Sequence, residues 1–212
     1  GVIWPQSNDA IDLLTAEEKC TGLRRLVAAA ASFTNAVLTL GVSGTNTAEM
    51  LAFAAFAEKL AAQSPAPIAL AARPPTDGRT AADLETYFAA LGRVAKRPVI
   101  VQTFVSDECP APSVAFLVDL ARRFPGAYGY IKEESEGNRA NERQAAEVAA
   151  KPVIKTVFSA WGGWQWLYQR RALGTEGLVS ERPAYAPLVV RIWREMVAGD
   201  PDGRLQEAYA LY

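Results

Sequence analysis

Lys132 stands at the end of a short apolar run, Ala127–Lys132, within the segment Tyr128-Gly-Tyr-Ile-Lys-Glu-Glu134. An amine at the C-terminal end of a parallel strand, walled by apolar side chains, is pushed toward its neutral form. A neutral amine attacks a carbonyl and forms a Schiff base. The protonated imine is then an electron sink for C–C cleavage, C–C formation or dehydration. The plain alternative is a lysine that reaches solvent from a strand end. Lys155, in Pro152-Val-Ile-Lys-Thr-Val-Phe158, is the competing amine. It comes early in its run, which assigns it to the opposite end of its strand, where residues serve stability.

Other residues could complete such a site. Tyr130 shares strand parity with Lys132, because residues i and i+2 face one side. It either carries a proton to the imine or packs the core. Gln102, near the end of Val99-Ile-Val-Gln-Thr103, either satisfies a core group or points into the site. Ser7 and Asn8 follow the first apolar run, where they hydrogen-bond a carboxylate or serve as ordinary turn residues. Trp161, Trp164 and Trp166 frame Gly162-Gly163, as a pocket lip or, for Trp166 above all, as helix packing. Glu133 and Glu134 are either acid–base groups or, the plainer reading, a solvated strand end. Cys109, before Pro110, has no neighbouring base to make it a nucleophile.

Composition narrows the chemistry further. The 212 residues include no histidine, which excludes Ser-His-Asp and Cys-His systems and His-based zinc sites within this chain. Two cysteines are too few for a four-cysteine metal site, and they read as reduced thiols of a cytoplasmic protein. No metal ligand set emerges. A net charge of −1 leaves no basic surplus for nucleic acid. No apolar run reaches the ~18–20 residues that cross a bilayer, and no signal peptide opens the chain. The first residues, Gly1-Val-Ile-Trp4, lie inside an apolar run and lack a Met, so Gly1 reads as a position inside a longer natural sequence.

The elements that must position these residues follow from a repeated pattern of apolar run, loop and alanine-rich helical stretch. The runs are Gly1–Pro5, Ala36–Val42, Pro67–Ala72, Pro98–Phe104, Ala127–Lys132, Pro152–Ser159 and Gly177–Ser180. Thr15-Ala-Glu-Glu18 is a capping box that opens a helix to about Ala31. Further helices are predicted near 48–62, 80–94, 112–124, 138–149, 163–173, 186–197 and 204–212. Strands alternating with helices mean βαβ units and a parallel sheet. No Pro/Gly/Ser-rich linker interrupts the alternation, so residues 1–212 read as one domain. A closed barrel needs eight βα units. An open doubly wound sheet accepts seven, but the turn Pro5-Gln-Ser-Asn-Asp9 lacks a glycine-rich fingerprint.

The chain resembles the dihydrodipicolinate synthase and N-acetylneuraminate lyase family over nearly its whole length. The most specific match is Tyr130-Ile-Lys-Glu-Glu134, which resembles the segment carrying the family's Schiff-base lysine. Supporting matches are Leu13-Leu-Thr-Ala-Glu-Glu18, Gly41-Val-Ser-Gly-Thr-Asn-Thr-Ala-Glu49, Pro98-Val-Ile-Val-Gln102 and Gly177-Leu-Val-Ser180. The resemblance implies a (β/α)8 TIM barrel. Gly1-Val-Ile-Trp4 then matches the family's second strand, so the first βα unit and the C-terminal helices fall outside the residues present. It also implies a cytoplasmic homo-oligomer, dimer or tetramer, that needs no cofactor and acts on a 2-oxo acid or 2-oxo sugar acid.

Carried over residue by residue, the resemblance makes Lys132 the imine former. Ser7 and Asn8 hold the substrate carboxylate, Gly162 contacts substrate through its backbone, and Val179 lines an apolar pocket. Gln102 occupies the place of a proton-relaying tyrosine; because it cannot ionise, Tyr130 or a water must take over that step. Asp107 lies near where the synthases place an arginine, and Arg73-Pro-Pro75 replaces an aromatic pair at a subunit contact. These readings converge on a class I aldolase-type lyase or dehydratase. The alternative is a non-catalytic barrel that has lost the relay and binds a small acid or a protein partner.

Overall fold

The computed structural model describes residues 1–33, 35–104, 109–163, 165–201 and 203–211. Each apolar run contributes a strand: β1 Val2–Trp4, β2 Leu38–Gly41, β3 Ile68–Ala72, β4 Val99–Gln102, β5 Tyr130–Lys132, β6 Thr156–Ser159 and β7 Gly177–Leu178. Between and after them lie α1 Ala16–Ala29, α2 Thr47–Ala61, α3 Ala81–Val94, α4 Val114–Arg123, α5 Gly137–Ala149, α6 Trp166–Tyr168, α7 Ala186–Ala198 and α8 Leu205–Leu211.

Local chemistry explains the boundaries. The Thr15 hydroxyl accepts from the Glu18 N–H at 3.2 Å while the Glu18 carboxylate accepts from the Thr15 N–H at 2.8 Å. Thr80 and Asp83 repeat this capping box at α3, and Asn46 caps α2. The strands are shorter than the apolar runs that contain them, most of all β6, which begins only at Thr156, and glycines account for two further shortened elements. Gly129 takes φ +114°, so the run from Ala127 becomes a strand only at Tyr130. Gly162 and Gly163 take φ +64° and +80°, conformations that cannot start a right-handed helix. The helix there begins at Trp166 and passes at Gln169–Leu173 into a wider π-type turn.

All neighbouring strands are parallel and the order is sequential, β1-β2-β3-β4-β5-β6-β7. A doubly wound sheet reverses its strand order at a switch point; this one does not. Helices α1 to α5 pack each on the next, forming one outer layer. The sheet also curls. In a flat sheet, β1 and β5 would lie about 19 Å apart at ~4.8 Å per strand. Yet the Lys132 ammonium at the end of β5 reaches the Gln6 side chain just after β1 at 2.8 Å. Sequential order, one helix layer and curl together make a TIM-barrel-like wall of βα units.

Side-chain alternation separates two environments. Leu38, Leu40, Ile68, Leu70, Val99, Val101, Ile131 and Val157 face the helices and join one continuous core with Leu23, Phe53, Leu84, Phe88, Leu120 and others. Their strand neighbours face the inside of the curl, where Gln102 and Lys132 stand in register. A second, smaller core gathers Trp166, Ile192, Leu205 and Ala208. Among the described residues no helix is long and apolar enough to cross a membrane.

Candidate active site

Strand parity and curl bring the inward residues at the strand ends together. Lys132 ends β5 with only 5% of its surface exposed. Its backbone is fixed by β4: the Thr103 N–H donates to the Lys132 carbonyl at 3.0 Å, and the Thr103 hydroxyl accepts from the Glu134 N–H at 2.7 Å. Its ammonium donates to Gln6 Oε1 at 2.8 Å and pairs with Glu134 Oε1 at 2.8 Å. Gln102, also buried, donates to Ser7 Oγ at 3.1 Å. The Arg73 guanidinium, projecting from just beyond β3, donates to the same Ser7 hydroxyl at 3.3 Å and pairs with Asp12.

Of the residues singled out in the sequence, Lys132, Gln102 and Ser7 thus lie in one cluster. Asn8 shares the short helical turn Ser7–Asp9; its side chain lies outside the described residues. Gly162 is buried in the turn after β6, facing Glu181 and Arg182. Val179 extends β7, its N–H donating to the Ser159 carbonyl at 2.9 Å. Asp107 and Trp164 lie outside the described residues.

Tyr130 departs from its expected position as a proton carrier. It does face inward, but one layer below Lys132, in register with Ile100 and Thr156. The Lys155 ammonium sits 5.2 Å from its ring centre and bonds the Pro125 carbonyl, on the segment leading into β5. The ring therefore serves the N-terminal ends of the strands, as does Lys155.

Glu133 and Glu134 depart as well, since neither is solvated. Glu133 is fully buried and faces the helix layer. It accepts from Arg143 Nε at 2.9 Å and from the Ser135 N–H at 2.7 Å. Glu134 turns inward, with 8% of its side chain exposed. Burial pushes its carboxyl above the ordinary range, and the Lys132 ammonium and Gln102 amide oppose that shift. One of its oxygens, Oε2, is buried without a hydrogen-bond partner.

Sequence reasoning therefore missed Gln6, placed Arg73 at a subunit contact instead of beside Ser7, and preferred a solvated reading for Glu134. Arg73 carried a usable signal, as the first polar residue after an apolar run, the same position that singles out Lys132. Other candidate groups lie outside this cluster. Cys20 and Cys109 are free thiols, and burial pushes the Cys109 thiol up, away from thiolate. Trp161 braces the loop after Lys132, its indole N–H donating to the Glu134 and Ser135 carbonyls at 3.1 and 3.2 Å. Trp166 stacks on Trp193. No cluster of three or more metal-ligating side chains occurs among the described residues. A separate cavity of about 320 Å³ opens on the other side of β5, lined by Glu133, Gln144, Trp161 and Gln165 among others. Among the described residues no lysine lines it.

The arrangement places a buried lysine amino group beside a carboxyl group, with arginine, serine and glutamine side chains nearby as hydrogen-bond donors. The chain matches no protein-family model and no curated protein sequence. Solved structures do resemble it. Dihydrodipicolinate synthase from Aquifex aeolicus superposes with TM-score 0.82 at 21% identity, over 99% of this chain and 67% of that one. The 4-hydroxy-tetrahydrodipicolinate synthase from Methylacidiphilum fumariolicum SolV gives 0.81 at 20% identity, over 100% and 67%. YagE from E. coli K12, a prophage protein of the dihydrodipicolinic acid synthase family solved in complex with pyruvate, gives 0.80 at 19%, over 98% and 66%. The chain thus spans about two thirds of the length of these structures. At such identities the likeness establishes the fold.

Proposed function

We propose that the chain is a divergent member of the dihydrodipicolinate synthase family and a Schiff-base-forming lyase, aldolase or dehydratase acting on a 2-oxo acid or 2-oxo sugar acid. The observation that carries this reading is the burial of Lys132 at a strand's C-terminal end, its ammonium held between Gln6 and Glu134. Substrate C2 takes the Nζ lone pair, and the resulting imine withdraws electrons from the neighbouring carbon. Arg73 and Ser7 supply donors for the substrate carboxylate, and a guanidinium suits a carboxylate's two oxygens. The pyruvate bound in the YagE structure belongs to the same substrate class.

A second reading is favoured by Gln102, which cannot relay a proton: a barrel that binds a small acid or a protein partner without turnover. Borohydride reduction in the presence of pyruvate separates the two. The lyase reading requires a covalent adduct on Lys132 that disappears in Lys132→Met. Absence of any adduct favours the binder.

A further inference from the structure

We propose that Glu134 is the general acid–base group of imine formation, passing protons between Lys132 Nζ and the substrate oxygen. The inference rests on the imine reading of Lys132 and deepens it. Three observations carry it. Glu134 is the one carboxylate within ion-pair distance of Lys132 among the described residues, at 2.8 Å. It shares the inward strand face, two residues beyond the lysine. Its second oxygen, Oε2, is buried with no partner, although a buried carboxylate oxygen left unpaired is costly. A substrate hydroxyl or a proton on that oxygen would satisfy it. Burial, which raises the carboxyl's proton affinity, suits a group that must accept and then return a proton.

The alternatives are poorer. The chain has no histidine. Tyr130 lies a layer below against Lys155, and Glu133 faces the helices and is held by Arg143. Gln102 orients Ser7 but does not ionise.

The steps balance as follows. The Lys132 ammonium gives one proton to the Glu134 carboxylate, leaving a neutral amine and a neutral acid. The amine lone pair forms the N–C2 bond, and the carbonyl π pair moves to oxygen. Glu134 protonates that oxygen and takes a second proton from nitrogen, giving a neutral carbinolamine. The C–O bond then breaks with its electron pair on oxygen. That oxygen takes the proton from Glu134 and leaves as water, while the nitrogen lone pair closes the C=N bond. The net change is ammonium plus carbonyl to iminium plus water, with Glu134 returned as carboxylate.

The test is rapid-quench borohydride trapping of the full chain with pyruvate, comparing wild type with Glu134→Gln. The inference requires an adduct on Lys132 in both, forming roughly 10²–10⁴-fold more slowly in the variant. Added formate should recover part of that rate. An adduct on Lys132 that forms at the wild-type rate in Glu134→Gln overturns the role of Glu134 and leaves the imine reading standing. Wild-type protein that gives no adduct on Lys132 overturns both. If Glu134→Gln loses its helical circular dichroism, Glu134→Ala decides: its trapping rate must rise with formate concentration, and a formate-independent rate overturns the inference.

Discussion

Arg73 offers a direct residue-scale check on substrate orientation. Hydrogen bonds to charged groups contribute about 1.5–3 kcal/mol, or roughly 10–150-fold in binding. Arg73→Met should raise the pyruvate concentration that half-saturates borohydride trapping by about that factor, with the adduct still on Lys132. An unchanged half-saturation would remove Arg73 from the carboxylate site. Lys155→Met and Tyr130→Phe should leave trapping within about 2-fold of wild type, because both groups serve the N-terminal strand ends. A large loss in either folded variant would contradict that assignment. Lys132, Gln102 and Ser7 were legible in the sequence because polar residues at the C-terminal ends of apolar runs are few. Glu134 was only half legible: an acid–base role was open, but consecutive glutamates read more plainly as solvated. It takes the curl that buries Glu134 against Lys132 and the helix layer that buries Glu133 against Arg143 to decide otherwise.

The element most altered by that burial is α5. Arg143 and Glu147 of this helix meet Glu133 at the end of β5. Burial pushes the Glu147 carboxyl up to about 10, reinforced by the Glu133 carboxylate beside it and only partly opposed by Arg143. A carboxyl with a raised folded-state pKa stays protonated in the native protein while the unfolded chain releases its proton. Stability is therefore lost as pH rises from the ordinary carboxyl range toward 10. Glu147→Gln, which stays neutral, should flatten this dependence and exceed wild type by about 1–3 kcal/mol at alkaline pH. Urea unfolding at pH 5 and pH 9 checks this; parallel pH dependences in the two proteins would contradict it. The start of α1 was legible from Thr15, and Asn46 and Thr80 cap α2 and α3 through the same local chemistry, each with a partner three positions away. The α5 cluster was hidden because its partners lie on different elements.

At the scale of the molecule, seven apolar runs became seven strands in the predicted order, since both strand and helix periods are local signals. Curl, strand-end register and the layer occupied by Tyr130 are properties of the whole sheet, and sequence parity could not distinguish the upper layer from the lower. The two cores also differ in size, with Trp166, Ile192, Leu205 and Ala208 forming the smaller one. Amide exchange should therefore open α7 and α8 before Leu40, Leu70 and Val101 in the central strands; equal protection throughout would contradict that division. The central claim is that the curled wall of strands holds Lys132 as an imine-forming amine. Its most direct test is borohydride reduction with pyruvate, followed by mass mapping of the modified peptide. The account predicts a reduced pyruvate adduct on Lys132, absent from Lys132→Met. An adduct on Lys155, or none on a folded wild-type chain, would contradict it.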